Sequence, residues 1–139
     1  MAGVSAFGTV IKIGGTAGTA VVNVTKIDGP EPSLDTIEVT AHDSANAWRE
    51  YVAGLLDAGE VSMDINWDPL AATHKNAVGG LQYLQGQRTS SLFALIFPAA
   101  GNPTYTFTAF VTKFGRSAPF EDKLTAQVTL KITGAPTLV

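Results

Sequence analysis

Leu124-Thr125-Ala126-Gln127-Val128-Thr129-Leu130-Lys131-Ile132-Thr133 is the stretch whose reading fixes the fold class. Leu124, Ala126, Val128, Leu130 and Ile132 share one parity, and Thr125, Gln127, Thr129, Lys131 and Thr133 the other. Successive side chains of an extended backbone point to opposite faces, so this is a strand with one apolar and one polar face. Its natural partner is Thr104–Thr112, where Tyr105, Phe107, Ala109 and Val111 face one way and Thr104, Thr106, Thr108 and Thr112 the other. Phe110 interrupts that polar face, so part of it meets something apolar. Glu60–Asp68 repeats the pattern, with Val61, Met63, Ile65 and Trp67 against Ser62, Asp64, Asn66 and Asp68. Shorter strands are expected at Phe7–Ile13, Ala20–Ile27, Thr36–Ala41 and Leu92–Phe97.

Two segments change period. Asp43 or Ser44 can cap a helix N-terminus, and Trp48, Tyr51, Val52, Leu55 and Leu56 then follow the i, i+3, i+4, i+7 spacing of an amphipathic helix ending near Gly59. A second helix is expected over about Thr73–Gln85, weakened by Gly79 and Gly80. The chain therefore reads as mainly β (α+β): an antiparallel β-sandwich or rolled sheet with a flanking α-helix.

The 139 residues, 45% apolar and 15% charged, fit a single domain, with a short flexible N-terminal segment (1–6) and a C-terminal tail (134–139). That composition excludes disorder. The longest dense apolar run, Leu92–Phe97, is far shorter than a membrane-spanning helix, and the first residues lack the basic and apolar regions of a signal peptide. No cysteine is present, which excludes disulfide scaffolds, thiolate zinc sites and cysteine nucleophiles. Nine basic and twelve acidic residues give a net charge of −3, and the cations are scattered from Lys12 to Lys131 rather than gathered as in a DNA reader.

No catalytic constellation emerges. His42-Asp43-Ser44 holds the residue types of a hydrolytic triad, but consecutive side chains diverge, and a strand end followed by a helix cap accounts for them. Asp64-x-Asn66-x-Asp68 opens like a calcium loop, yet the positions needing Gly and Glu are Pro69 and Lys75. Gly14–Thr19 is glycine-rich without the Lys-Ser/Thr of a phosphate loop and reads as a hairpin turn. His42 and His74 have no ligand-like spacing. The chain is expected to be neither an enzyme nor a cofactor binder.

Several pieces in order carry a resemblance. They are Val39-Thr40-Ala41-His42-Asp43-Ser44, Trp48-Arg49-Glu50-Tyr51, Ala53-Gly54-Leu55, Asp57-Ala58-Gly59-Glu60 and Asn66-Trp67-Asp68-Pro69. After them come His74, Phe93–Pro98, Thr106–Val111, Pro119–Leu124 and Val128–Gly134. Together they resemble the major tail tube proteins of long-tailed, non-contractile, lambda-like bacteriophages. The resemblance implies a structural virion protein: six subunits close a large inner β-barrel, and the rings stack into the channel for DNA ejection. Implied partners are copies of the chain, a tape-measure protein in the lumen, tail tip and terminator proteins, and double-stranded DNA in non-specific transit, with no membrane. Implied location is the virion tail, assembled in the host bacterial cytoplasm. Alternatives are a free-standing β-sandwich binding or decoration module and a secretion-type tube protein.

On this reading the lumen is lined by Thr104, Thr106, Thr108 and Thr112 with Thr125, Gln127 and Thr129. A second possible lining takes Glu38 with Thr36 and Thr40, and Asp64 with Ser62 and Asn66. Lys131 fits the first lining only near a rim or beside an acid. Contacts between subunits or rings are expected at the Pro-rich loop Asp28–Asp35 (Asp28, Pro30, Glu31, Pro32, Asp35), in Asp68–Ser90 (His74, Lys75) and in the tail (Leu138). The helix bearing Trp48, Tyr51, Val52, Leu55 and Leu56 is expected to buttress the barrel. Six copies at −3 each amount to −18 per ring, and a neutral or acidic wall would let a duplex slide.

Overall fold

Alternating strands are stable only when their edges find partners, and the computed structural model shows where this chain finds them. The structure describes residues 3–138. Among these, nine strands and one α-helix follow in order: β1 (Val10–Ile13), β2 (Thr19–Ala20), β3 (Val24–Asp28), β4 (Ser33–Glu38), β5 (Tyr51–Asp57), β6 (Glu60–Asn66), α1 (Leu81–Gln87), β7 (Ser91–Ile96), β8 (Thr104–Ser117) and β9 (Thr125–Leu138). Seven form one antiparallel sheet in the order β2-β1-β7-β8-β9-β6-β3, curled into a half-barrel, and β4 and β5 form a separate two-stranded ribbon. The mainly-β class expected from alternation is the class observed.

β8 and β9 are each 14 residues long and pair with each other along nearly their whole length, but no third strand spans either. β7 covers only Thr104–Ala109 of β8, and β6 only Thr125–Lys131 of β9. One β8–β9 hairpin therefore belongs to two limbs. Near its open end it continues into β7, β1 and β2; near its turn it continues into β6 and β3. The β8–β9 ladder shifts register between Thr106 and Thr108 and again between Val111 and Lys113. Such bulges bend and twist a strand, which lets both limbs turn their apolar faces into one core. Ile11, Phe93, Leu95 and Phe107 from the first limb meet Val61, Met63, Ile65, Val128 and Leu130 from the second in a single cluster. Phe93 and Phe107 stack with centroids 5.9 Å apart, and each contributes about 2–3 kcal/mol by burial.

Several expectations are corrected. Trp48–Leu56 is not a helix: Tyr51–Asp57 is strand β5, preceded by a 3-10 turn at Ala45–Ala47. The helical spacing arose because the ribbon carries apolar residues on both faces, which mimics a 3.6-residue period over two turns. Val52 and Gly54 are poor helix formers, and pairing with β4 prevails. Ser44 caps no α-helix; its Oγ accepts from the Ala41 N–H (2.9 Å) and donates to Glu50 Oε2 (2.6 Å), closing the ribbon tip. α1 begins at Leu81 rather than near Thr73, and residues between are turns. Ala20–Ile27 divides into β2 and β3, and of the expected loop Asp28–Asp35 only 29–32 lies between strands, Asp28 ending β3 and Asp35 lying in β4. The tail 134–139 is not a tail as far as Leu138, which pairs with Tyr105; Val139 lies outside the described residues, as do Met1 and Ala2 of segment 1–6.

His74, expected at an inter-ring surface, is instead fully buried. Its Nδ1 accepts from the Asp68 N–H at 3.2 Å and its Nε2 lies 2.8 Å from the Val22 carbonyl, so the proton sits on Nε2. Gln82 of α1 donates from Nε2 to the His74 carbonyl at 2.8 Å and accepts at Oε1 from Arg116 of β8. The Arg116 guanidinium lies 5.3 Å from the Trp67 ring centroid and 5.1 Å from that of Phe114. This chain of contacts fastens the segment 67–87 to the sheet.

Replacing His74 by Ala leaves the Asp68 N–H and the Val22 carbonyl without partners and opens a cavity. The expected cost is about 2–4 kcal/mol, a fall of roughly 10 °C in melting temperature. Thermal unfolding followed by circular dichroism reads it; a change within 2 °C (about half a kcal/mol) would show the ring to be dispensable.

Candidate assembly surface

Residues directly opposite in an antiparallel ladder share a face, so register assigns every side chain of the second limb. Across β6 and β9 the pairs Val61–Leu130, Met63–Val128 and Ile65–Ala126 are apolar and buried. The alternating pairs Glu60–Lys131, Ser62–Thr129, Asp64–Gln127 and Asn66–Thr125 are polar. β8 adds Lys113, Gly115 and Ser117 to the polar face, opposite Thr129, Gln127 and Thr125. β3 adds Lys26 and Asp28, opposite Asp64 and Ser62. The result is a four-stranded polar surface on which Lys26, Lys113 and Lys131 balance Asp28, Glu60 and Asp64.

Its charges are locally compensated. Lys26 Nζ lies 3.3 Å from Asp28, and Lys131 Nζ lies 3.9 Å from Asp57 at the root of the ribbon. Both pairs are exposed, so each adds at most about 1 kcal/mol, but both cancel field at the surface. Thr25, at a register shift between Val24 and Lys26 in the β3–β6 ladder, and Thr112, at the shift between Val111 and Lys113, turn their hydroxyls to the backbone carbonyls of Asp64 at 3.1 Å and Thr129 at 3.2 Å.

The residues expected to share one lining are divided between the limbs. Thr125, Gln127 and Thr129 lie in the second limb, and Asp64 joins them beside Gln127. Thr104, Thr106 and Thr108 lie in the first limb, opposite Ile96, Ala94 and Leu92, and Thr112 marks the bulge between. Glu38 is elsewhere, paired with Tyr51 on the ribbon. Arg116 and Gln82 were not singled out in the sequence. Only the alternation of Phe114 and Arg116 on one parity hinted that a cation closes the apolar face.

The ribbon is the second feature of this surface. Gly29 and Gly59, at φ +95° and +82°, let its neck pass the backbone carbonyls of Glu60 and Glu31 too closely for any side chain. Pro30, Glu31 and Pro32 form the link into β4. No residue of β4 or β5 is buried; Trp48 is 73% exposed, Leu55 82% and Leu56 78%. From Glu31 to Asp57 the chain carries Glu31, Asp35, Glu38, Asp43, Glu50 and Asp57 against Arg49 alone, a net −5. Lys75 is half-buried, and Leu138 is exposed at the end of β9.

Comparison with known proteins yields one family and a consistent set of folds. The sequence model of a family described as lambda phage tail tube protein matches residues 16–139. A chain from the virion of a native gene transfer agent particle superposes with TM-score 0.81 at 15% identity, covering 99% of each chain. A chain from the tail of an empty gene transfer agent particle, refined with C6 symmetry, superposes with TM-score 0.70 at 18% identity over 94% of each. The SPP1 tail tube subunit follows at 0.66 and 10% identity, over 94% of this chain and 75% of that one. At these identities the superpositions carry the fold. None of the curated proteins matches the sequence.

The face assignment predicts opposite responses from adjacent residues. Gln127→Ala removes an exposed side chain and is expected to shift stability by less than about 0.5 kcal/mol. Val128→Ala empties a core position and is expected to cost about 2–3 kcal/mol. Chemical denaturation of the two variants checks it; equal losses would mean that the polar face is buried within the subunit.

Proposed function

The chain belongs to the lambda phage tail tube protein family, and from that footing we propose that six copies close each ring of a hollow tail tube through which double-stranded DNA passes. The observation that carries the reading is the second limb's face: polar along four adjacent strands, and carrying three cations against three anions. Six such limbs, with strands about 4.8 Å apart and tilted about 40°, make a barrel roughly 50 Å across at the backbone, well beyond the size at which barrels hold water-filled channels. A wall of hydroxyls, amides and balanced charge gives phosphates nothing to grip, because tight DNA binding rests on an excess of cations. Within this proposal Thr125, Gln127, Thr129 and Asp64 line the lumen, whereas Thr104, Thr106 and Thr108 face away from it.

The ribbon β4–β5 is the reading's second support. An isolated two-stranded ribbon with apolar side chains on both faces is marginal in water, so this one needs a partner surface. Its net −5 leaves the rest of the chain at +2. Trp48, Tyr51, Val52, Leu55 and Leu56, no longer a buttress, dock the ribbon on the body of a subunit in the neighbouring ring, with the link Gly29–Pro32 between β3 and β4 as the hinge. A tape-measure protein occupies the lumen before DNA, tip and terminator proteins close the two ends, and assembly takes place in the host bacterial cytoplasm. The role is structural.

Negative-stain electron microscopy of the concentrated protein is expected to show rings or hollow tubes. A Leu55→Ser/Leu56→Ser variant is expected to keep the melting temperature within 2 °C, since neither side chain is buried, while the tubes fall to separate rings or monomers. Monomers at every concentration, even with tip complex and tape measure added, would overturn the tube; unimpaired tubes from the variant would overturn the docking role of the ribbon.

A further inference from the structure

Each end of the second limb turns a phenylalanine to water. Phe120 is 99% exposed in the turn between β8 and β9, and Phe110 is 39% exposed where β8 enters the limb. In the ladder Phe110 stands opposite Lys131, which stands opposite Glu60, so its ring belongs to the polar face. No strand lies beside it on the other side, because β7 ends its pairing at Ala109. From Phe110 to Ser117 β8 runs seven residue steps, roughly 23 Å at about 3.3 Å each, and the turn lies beyond. The two rings are therefore at opposite ends of one strand.

The chemistry around them is complementary. Pro119 fixes the backbone just before Phe120, and the Asp122 carboxylate accepts from the Lys123 N–H at 2.8 Å, so an ordered turn presents the ring. Glu121 beside it takes part in no ion pair among the described residues. At the other end Lys131 flanks Phe110, and its contact to Asp57 is long, at 3.9 Å. One end thus offers an aromatic ring with a free anion, and the other an aromatic ring with a loosely held cation. Aromatic rings meet favourably edge to face or offset, and an ion pair beside them fixes the orientation.

Copies stacked in one direction bring the turn end of one second limb to the opposite end of another. Both ends belong to one sheet, so they lie at the same distance from the tube axis and meet within the channel wall. The ribbon's neck, residues 29–32 and 57–59, also leaves the limb at the Phe110 end, so ribbon and turn come together at one junction. The rival receptor for Phe120 is an apolar groove of about 550 Å³ lined by Phe7, Ile27, Phe97 and Pro98. That groove flanks the free side of β3, which is a lateral edge of the limb rather than its end.

We propose that Phe120 of one copy seats against Phe110 of a copy in the next ring, with Glu121 beside Lys131, and so closes the seam between rings in the channel wall. This rests on the tube reading above and adds to the ribbon a second contact between rings. It also fixes the rotation of one ring on the next, because a turn out of line with Phe110 meets only polar residues.

Phe120→Ser removes a side chain that touches nothing within the subunit. Circular dichroism, melting temperature and ring formation are expected to stay unchanged, while the concentration needed for tubes rises at least about tenfold. Phe110→Ser is expected to act in the same direction. The double variant is expected to fall within about threefold of the worse single one, since one joint is not lost twice. The chain has no cysteine, so Glu121→Cys/Lys131→Cys, which keeps both phenylalanines, can be joined by a short bismaleimide after assembly. The expected product is a covalent ladder running past six copies, with none from either single variant. A ladder that stops at six places the contact within a ring and overturns the joint. Assembled tubes in which the pair stays unlinked, tubes from Phe120→Ser at the unaltered concentration, or a double variant whose defect multiplies those of the singles also overturn it, and all leave the tube reading standing. An unaltered chain that forms neither rings nor tubes with tip complex and tape measure present overturns both.

Discussion

The pairing of β8 with β9 is the constraint on which the rest depends. Two strands of 14 residues run together while each flanking strand covers only half of one of them. Remove that pairing and the β7 limb and the β6 limb are unconnected fragments, each with one apolar face and nothing to bury it against. Keep it, bend it at two bulges, and Phe107 from one limb and Val128 from the other meet in one core. The same half-coverage leaves Lys113–Ser117 without a neighbour. Core formation and the unfinished edge are thus two consequences of one length mismatch.

The ribbon divides the molecule differently. Everything that makes the body stable is in place without it: the core cluster draws no residue from β4 or β5. What the ribbon adds is exposed apolar surface and negative charge, both unfavourable in a free subunit. Such features persist where a partner surface removes the apolar side chains from water and offsets the charge. The body, at +2 beside the ribbon's −5, has the complementary sign. The subunit is a stable body carrying an exposed arm, whose contacts assembly would complete on the proposed docking.

How much of this the sequence disclosed follows from where one face was solvated and the other buried. Glu60–Asp68, Thr104–Thr112 and Leu124–Thr133 were legible because each alternates cleanly, and each is a strand that faces the core on one side. Tyr51–Asp57 was not, because a ribbon with apolar side chains on both faces loses the period of two, and Trp48, Tyr51, Val52, Leu55 and Leu56 then imitate a helix. His74 was misplaced for a related reason. A polar side chain in a turn-rich stretch looks solvated, and only the tertiary position of Val22 and Asp68 reveals two partners for its ring. Of the residues expected to line a lumen, Thr125, Gln127 and Thr129 fell together with Asp64. Thr104, Thr106 and Thr108 did not, since alternation gives the face of a strand but not the bend that sends its two halves into different limbs.

That bend also changes how the chain's charge should be weighed. A net of −3 suggested a neutral or acidic channel wall when spread evenly over the sequence, yet the excess acid is concentrated between Glu31 and Asp57, and the polar face of the second limb is balanced. For a duplex in transit the distinction matters. A strongly acidic wall would hold DNA off but raise the free energy of every phosphate inside the tube, and a basic wall would hold it fast. Opposite charges a few ångströms apart, such as Lys26 and Asp28 at 3.3 Å, cancel within the roughly 8 Å over which salt screens any field at physiological ionic strength. A phosphate passing along the proposed lining would then meet no well deep enough to stop it and no barrier high enough to exclude it. On the proposed lining, interleaved charge rather than the sign of the total is what would let a polyanion slide.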